Sequence, residues 1–114
     1  MLPIKRRIKK DPFGKIMKEG VFLHAPNLYL RFIDNKDQSP SCFGFVVPVK
    51  VSKTSVGRHL IKRKLSSVVE KALLDIKPGF WGIFFAKKDI SSISYQEIEK
   101  EALELLVKAK MLNQ

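Results

Sequence analysis

Cysteine, acidic residues and long apolar runs are scarce in this chain of 114 residues, and each scarcity excludes something. Cys42 is the only cysteine, so no internal disulfide can form and a cysteine-based zinc site is not expected. Asp and Glu number 11 against 22 Lys and Arg, a formal net charge of +11 that points to a polyanionic partner. The apolar run FGFVVPV at 43–49 is among the longest, yet it falls far short of the roughly 20 residues that cross a bilayer. The basic stretch from Lys5 to Lys10 is not followed by an apolar segment, so no signal peptide is expected. The glycine-rich phosphate loops G-x-G-x-x-G and G-x-x-x-x-G-K-[ST] are both absent. What remains is 45% hydrophobic, the composition of a globular protein. We expect one cytoplasmic domain over 1–114, with 1–10 as a basic, flexible arm and no membrane association.

The positive charge is concentrated. Residues 1–20 hold Lys5, Arg6, Arg7, Lys9, Lys10, Lys15 and Lys18 against Asp11 and Glu19. Residues 50–69 hold Lys50, Lys53, Arg58, Lys62, Arg63 and Lys64 with no acid at all. From residue 89 the balance reverses, through Asp89, Glu97, Glu99, Glu101 and Glu104. A single charge run is ordinarily a solvated face. Two acid-poor blocks in so short a chain instead suggest one polyanion-binding surface, provided that the fold joins them.

Pattern places these blocks on elements. Asp11-Pro12 reads as a helix start, with an acidic cap and proline at the first helical position, and Gly20 as its stop. LYLRFID (28–34) alternates as a strand does, DNKDQSP (34–40) is a turn, and CFGFVVPV (42–49) is a second strand. Pro48 marks that strand's end or an edge position. Over 55–76, Ile61, Leu65, Val68, Val69, Ala72 and Ile76 form one apolar helical stripe. His59, Lys62, Arg63 and Ser66 occupy the adjoining arc, with Arg58 at its border. This basic face lies near the helix N-terminus, where the macrodipole already favours anions. Lys77-Pro78-Gly79 ends the helix, FWGIFFA (80–86) is a buried strand, and Ser94 with Glu97 opens a last helix through a capping box. The expected fold is an α/β (α+β) two-layer sandwich with a mixed sheet, in the order α-β-β-(β)-α-β-α.

Catalytic constellations are weak. Cys42 could be imagined as a nucleophile with His24 or His59 as base, but it opens a strand, and His59 sits among cations. No catalytic residue and no metal-ligating set is assigned; the C-terminal acids read as a solvated helix face. Phe80, Trp81, Phe84 and Phe85 read as core. Tyr29 and Arg31 differ, because they share one face of a strand where hydrophobes would be expected. They make a candidate cleft wall for single-stranded RNA, which binds cationic grooves lined with stacking side chains. Phe13 and Met17, one helical turn apart, are either the opposite wall or core.

The order of elements and these motifs together resemble the protein subunit of bacterial ribonuclease P. VGRHLIKRKLSSVVEKAL (56–73) is similar to that family's long helix, which opens with an Arg-Asn-Arg-type motif followed by a Lys-Arg pair. IKPGFWGIFFAKK (76–88) and ISYQEIEKEALELLVKA (93–109) resemble its Lys-Pro-Gly turn, strand and terminal Ser-Tyr-capped helix. RRIKKDPFGKIMKEG (6–20) resembles its basic arm and first helix. His59 and Leu60 stand where the family usually has asparagine and the second arginine. VPVKVSKTSV (47–56) is one residue longer than the common pattern, with Pro48-Val49 in place of Ser-Lys. Met17 and Arg31 replace aromatics, which shifts the balance from stacking toward phosphate pairing.

The resemblance implies a ribosomal-protein-S5-domain-2-like fold with a left-handed βαβ crossover, against the usual right-handed rule. It implies an endoribonuclease subunit whose partners are a catalytic RNA and precursor tRNA, with no obligate protein partner. The RNA, using Mg²⁺ held mainly by RNA and substrate, removes the 5′ leader. Arg58, His59, Lys62, Arg63, Lys50, Lys53, Arg6 and Arg7 would contact that RNA. Phe13, Met17, Tyr29 and Arg31 would line the leader cleft. The alternatives are another RNA-binding α/β module, ribosomal or assembly-related, and a self-sufficient protein nuclease.

Overall fold

Leu28, Leu30 and Phe32 alternate with Tyr29, Arg31 and Ile33 along the strand Leu28–Asp34, and this alternation gives the sheet two different faces. The structure is a computed structural model that describes residues 2–90 and 92–112. Its elements are helix α1 (Lys10–Glu19), strands β1 (Val21–His24), β2 (Leu28–Asp34) and β3 (Cys42–Val46), helix α2 (Ser55–Ala72), strand β4 (Phe80–Ala86) and helix α3 (Tyr95–Lys108). The strands form a mixed sheet in the order β1-β2-β4-β3. β1 and β4 both run antiparallel to β2, while β3 pairs with β4 in parallel.

One sheet face carries Leu28, Leu30, Phe43, Phe80 and Phe84, which pack with Ile61, Leu65, Val68 and Val69 of α2 and with Ile98, Ala102, Leu105 and Leu106 of α3. All six positions of the expected α2 stripe are buried. Truncating one of the larger ones to alanine would cost about 2–5 kcal/mol, a large part of a small protein's stability. Gly82 makes the packing possible: a Cβ there would come within 3.0 Å of the Phe43 ring. The second face is covered by α1, whose Ile16 is fully buried with Ile83 and Phe85.

Several boundaries differ from the sequence expectation. α1 begins at Lys10 with Lys9 as cap, so Asp11 is not the cap and Pro12 is the third helical residue. Proline is tolerated there because the first-turn N–H groups have no helical partner to lose. α2 ends at Ala72 and continues as a 3-10 turn, Leu73–Asp75, before Ile76. Gly79 does form the following bend: its φ of +95° suits glycine, and a Cβ would come 2.6 Å from the Asp37 carbonyl oxygen. β3 stops at Val46, short of the expected strand over 42–49, so Pro48 lies beyond the strand's end and not at an edge position within it. The additional strand precedes β2, as β1, instead of following β3.

The N-terminal arm makes contacts along the edge of the sheet. Leu2 is buried, Arg7 bridges to Phe43 in parallel, and the Ile8 N–H donates to the Phe43 carbonyl at 3.1 Å. The unpaired backbone of edge strand β3 gives the arm something to bind.

Candidate nucleic-acid interface

The first surface is built on the start of α2. Thr54 caps the helix, its Oγ1 accepting from the Gly57 N–H at 3.0 Å. Buried Ile61 and Leu65 fix the helix rotation, so His59, Lys62 and Arg63 are exposed. Lys50 and Lys53, in the turn before the helix, are exposed as well. Arg58 is half-buried, and its Nη1 donates to the Ser52 carbonyl at 3.0 Å, bracing that turn. Lys64 leaves the basic face: its Nζ donates to the Ile93 and Ile90 carbonyls at 2.7 and 3.3 Å. Leu60, at a position where the resemblance expects arginine, is 54% exposed.

The arm meets this helix from the side. Arg7 and Ser66 line one cavity of about 180 Å³, one turn beyond Lys62. The two basic blocks are thus neighbours. Arg7 Nε donates to the Leu2 carbonyl at 2.8 Å, and Arg6 Nη1 reaches the Ser41 carbonyl at 3.4 Å.

The second surface lies on the α1 side of the sheet. Register aligns His24, Tyr29, Phe85 and Val46 in one row and Phe22, Arg31, Ile83 and Gly44 in the next. Tyr29 stacks on Phe85 with ring centroids 4.4 Å apart, and the Phe22 and His24 rings lie 5.7 and 5.6 Å from Tyr29. The Arg31 guanidinium sits 3.8 Å from the Phe22 centroid, within cation–π range. Its Nη1 lies 3.9 Å from the Met17 sulfur. Among the described residues, Arg31 Nε is a buried side-chain nitrogen without a hydrogen-bond partner. Met17, Tyr29 and Arg31 are therefore brought together. Phe13 stands one turn from Met17 on α1 and is 36% exposed, so it is not a core residue.

Phe22, His24 and Phe85 belong to this wall and were not expected there. Phe85 is buried, as expected of core, but on the α1 face, beside Tyr29. Trp81 is half-buried on that same face. The signal for Phe22 and His24 was their spacing of two, which places both side chains on one face once a strand is recognised.

No Cys–His pair is assembled from Cys42 and His24, since β3 and β1 are opposite edges of the sheet. Burial pushes the Cys42 thiol pKa up, against the pull of Arg6 and Lys9, and its Sγ donates to the Lys5 carbonyl at 3.2 Å. Among the described residues no group of three or more His, Cys, Asp or Glu side chains could hold a metal ion. Among them, too, no helix is long and apolar enough to cross a membrane.

A cationic helix face beside a docked basic arm, with an arginine-bearing aromatic wall on the other side of the sheet, defines an RNA-binding α+β protein. The chain belongs to the ribonuclease P protein family: the family model described as Ribonuclease P matches residues 2–110. It is thereby a tRNA-processing, RNA-binding protein component. The ribonuclease P protein component of Pseudanabaena sp. (strain PCC 6903) is 29% identical over 114 residues, covering 99% of this chain and 98% of the relative. That of Microcystis aeruginosa is 29% identical over 116 residues, covering 98% and 97%. The fold is shared with the Staphylococcus aureus RNase P protein, with a TM-score of 0.82, 24% identity and coverage of 95% and 98%. It is shared with the Thermotoga maritima protein at a TM-score of 0.78, 24% identity and coverage of 90% and 96%.

Proposed function

We propose that this subunit binds the catalytic RNA of ribonuclease P through the α2 face and the arm, and the 5′ leader of precursor tRNA through the aromatic wall. Lys50, Lys53, Arg58, Lys62 and Arg63, with Arg6 and Arg7, neutralise phosphates of the catalytic RNA, and His59 contacts the same RNA. Tyr29 and Phe13 offer surfaces for leader bases, and Arg31, oriented by Met17 and Phe22, takes a leader phosphate. The observation that carries this reading is Arg31, whose buried Nε lacks a hydrogen-bond partner on a wall of stacked rings. Holding a guanidinium half-buried among rings costs hydration, and a phosphate oxygen that reaches its outer nitrogens returns a charge-assisted hydrogen bond.

Cleavage itself belongs to the RNA, which holds Mg²⁺ with its substrate in the cytoplasm. The protein side chains bind, orient and lower electrostatic repulsion between catalytic RNA and substrate. The test is Arg31→Ala and Arg31→Lys in the reconstituted holoenzyme, with affinity measured for precursor and mature tRNA. Arg31→Ala should weaken precursor binding selectively, and Arg31→Lys should restore part of it. Equal weakening of both tRNAs would refute the assignment.

A further inference from the structure

Trp81 is the only tryptophan in the chain, and among the closely buried residues of β4 it alone keeps its side chain half-exposed. Its position in the sheet explains this. Trp81 pairs with Ile33 of β2 and Cys42 of β3, at the opposite end of β4 from Phe85 and the Tyr29 row. The Arg31–Ile83 row separates it from the Tyr29–Phe85 row, although all of them pack in one cluster with Ile16 of α1. Trp81 is thus outside the aromatic wall assigned to the leader.

A cavity of about 270 Å³ opens beside the indole, closed by Lys5 and Arg7 of the arm, Lys9 and Pro12 at the start of α1, and Cys42. Every charged residue lining it is a cation. Lys15 adds a fourth, its Nζ 5.8 Å from the Trp81 ring centroid. The larger groove beside Phe32, about 520 Å³, is lined by Asp34 and Asp37 as well as lysines and has no such bias. Gathering like charges around one cavity raises their mutual repulsion, which a bound polyanion relieves. An aromatic plane among cations is also the combination that holds single-stranded nucleic acid, with the base on the ring and phosphates on the charges. Docking of the arm on β3 supplies Lys5 and Arg7, and the start of α1 supplies Lys9, so the cavity exists only in the folded chain.

We propose that the Trp81 cavity is a second site for single-stranded RNA, taking one nucleotide with its base against the indole and its phosphates on Lys5 and Lys9. The nucleotide comes either from the leader or from an unpaired segment of the catalytic RNA; both present the same chemistry. The site requires only an RNA partner, so it stands or falls separately from the Arg31 assignment.

The single tryptophan is its own reporter. The full chain is titrated with a labelled oligouridylate of about six nucleotides, within the span of small single-strand sites. Trp81 emission and RNA anisotropy are followed together. Emission should quench saturably, and Lys5→Ala with Lys9→Ala should move the midpoint severalfold higher and lower the salt slope by about 0.7 per phosphate no longer neutralised. Both lysines are exposed, so the variants retain the fold, and their unliganded emission should match the parent's. RNA binding by anisotropy without a change at Trp81, or an unmoved midpoint in the double variant, would overturn the proposal. The source follows from the holoenzyme carrying fluorotryptophan at position 81. A resonance shift on adding the catalytic RNA alone assigns the nucleotide to that RNA, and a shift that needs precursor rather than mature tRNA assigns it to the leader. No shift in either arm would overturn a role for the site in the assembled enzyme.

Discussion

The Tyr29 ring lies face to face with Phe85, centroids 4.4 Å apart and planes 4° apart, so one side of the tyrosine is fixed by packing. Tyr29 is only half-buried, and a base can reach it without displacing the pair. Stacking on such a ring is worth about 1–3 kcal/mol per base. Tyr29→Ala should therefore weaken precursor tRNA binding by roughly tenfold. Mature tRNA, which has no leader, should bind as before. Equal losses for the two tRNAs, measured by filter binding to the holoenzyme, would remove Tyr29 from the leader wall.

Lys62 and Arg63 are the cleanest probes of the α2 surface, because both side chains point away from the helix's buried stripe. Arg58 is less clean, since its bond to the Ser52 carbonyl means that Arg58→Ala also loosens the preceding turn. The double variant Lys62→Ala with Arg63→Ala should weaken affinity for the catalytic RNA. Its log–log salt dependence should flatten by about 0.7–0.9 for each phosphate no longer neutralised, depending on strandedness. An unchanged slope in a salt titration would show that this face does not touch phosphate.

Glu101 is buried on α3 and accepts three hydrogen bonds from the β1–β2 turn: the Asn27 N–H at 2.5 Å, the Asn27 amide at 2.9 Å and the Leu28 N–H at 2.8 Å. Glu101→Ala leaves those donors unsatisfied, and each such group costs about 1–3 kcal/mol when it is kept from water. The midpoint of urea unfolding should fall clearly for Glu101→Ala and less for Glu101→Gln, which retains an acceptor. Equal midpoints for parent and Glu101→Ala would show that the clamp contributes nothing.

Burial raises the Cys42 thiol pKa, and the thiolate is the species that reacts with alkylating agents. The sign follows directly. At neutral pH the folded protein holds less thiolate than the unfolded chain does, so iodoacetamide should label Cys42 more slowly in the folded protein than in urea. Labelling of the folded form should rise only at a pH above that of an ordinary thiol. Faster labelling in the folded state would mean that Arg6 and Lys9 outweigh burial.

The legible parts of the fold were those where one face is buried and the other is not. Leu28–Asp34 alternates because α2 and α3 cover one face fully, and the α2 stripe from Ile61 to Ala72 has a single wet side. FWGIFFA was legible as a buried strand but not by face. β4 lies inside the sheet and is covered on both sides, which erases alternation and hid Phe85 among apparent core residues. β1 escaped because Val21, Phe22 and His24 are all exposed, leaving its four residues no buried pattern. Arm docking depends on the free edge of β3, a partner distant in sequence. At the site, Tyr29 and Arg31 were legible as a polar pair on an otherwise apolar strand. Phe22 and His24 became visible only when pairing with β2 set them beside that pair.

The most direct measurement is reconstitution: the protein, its cognate catalytic RNA and precursor tRNA are combined at low Mg²⁺, and each component is omitted in turn. The expected result is no cleavage by protein alone, weak cleavage by RNA alone and strong, 5′-specific cleavage by the two together. Cleavage by the protein without RNA, or no stimulation of the RNA by the protein, would contradict the assignment of this chain as a binding subunit of a catalytic RNA.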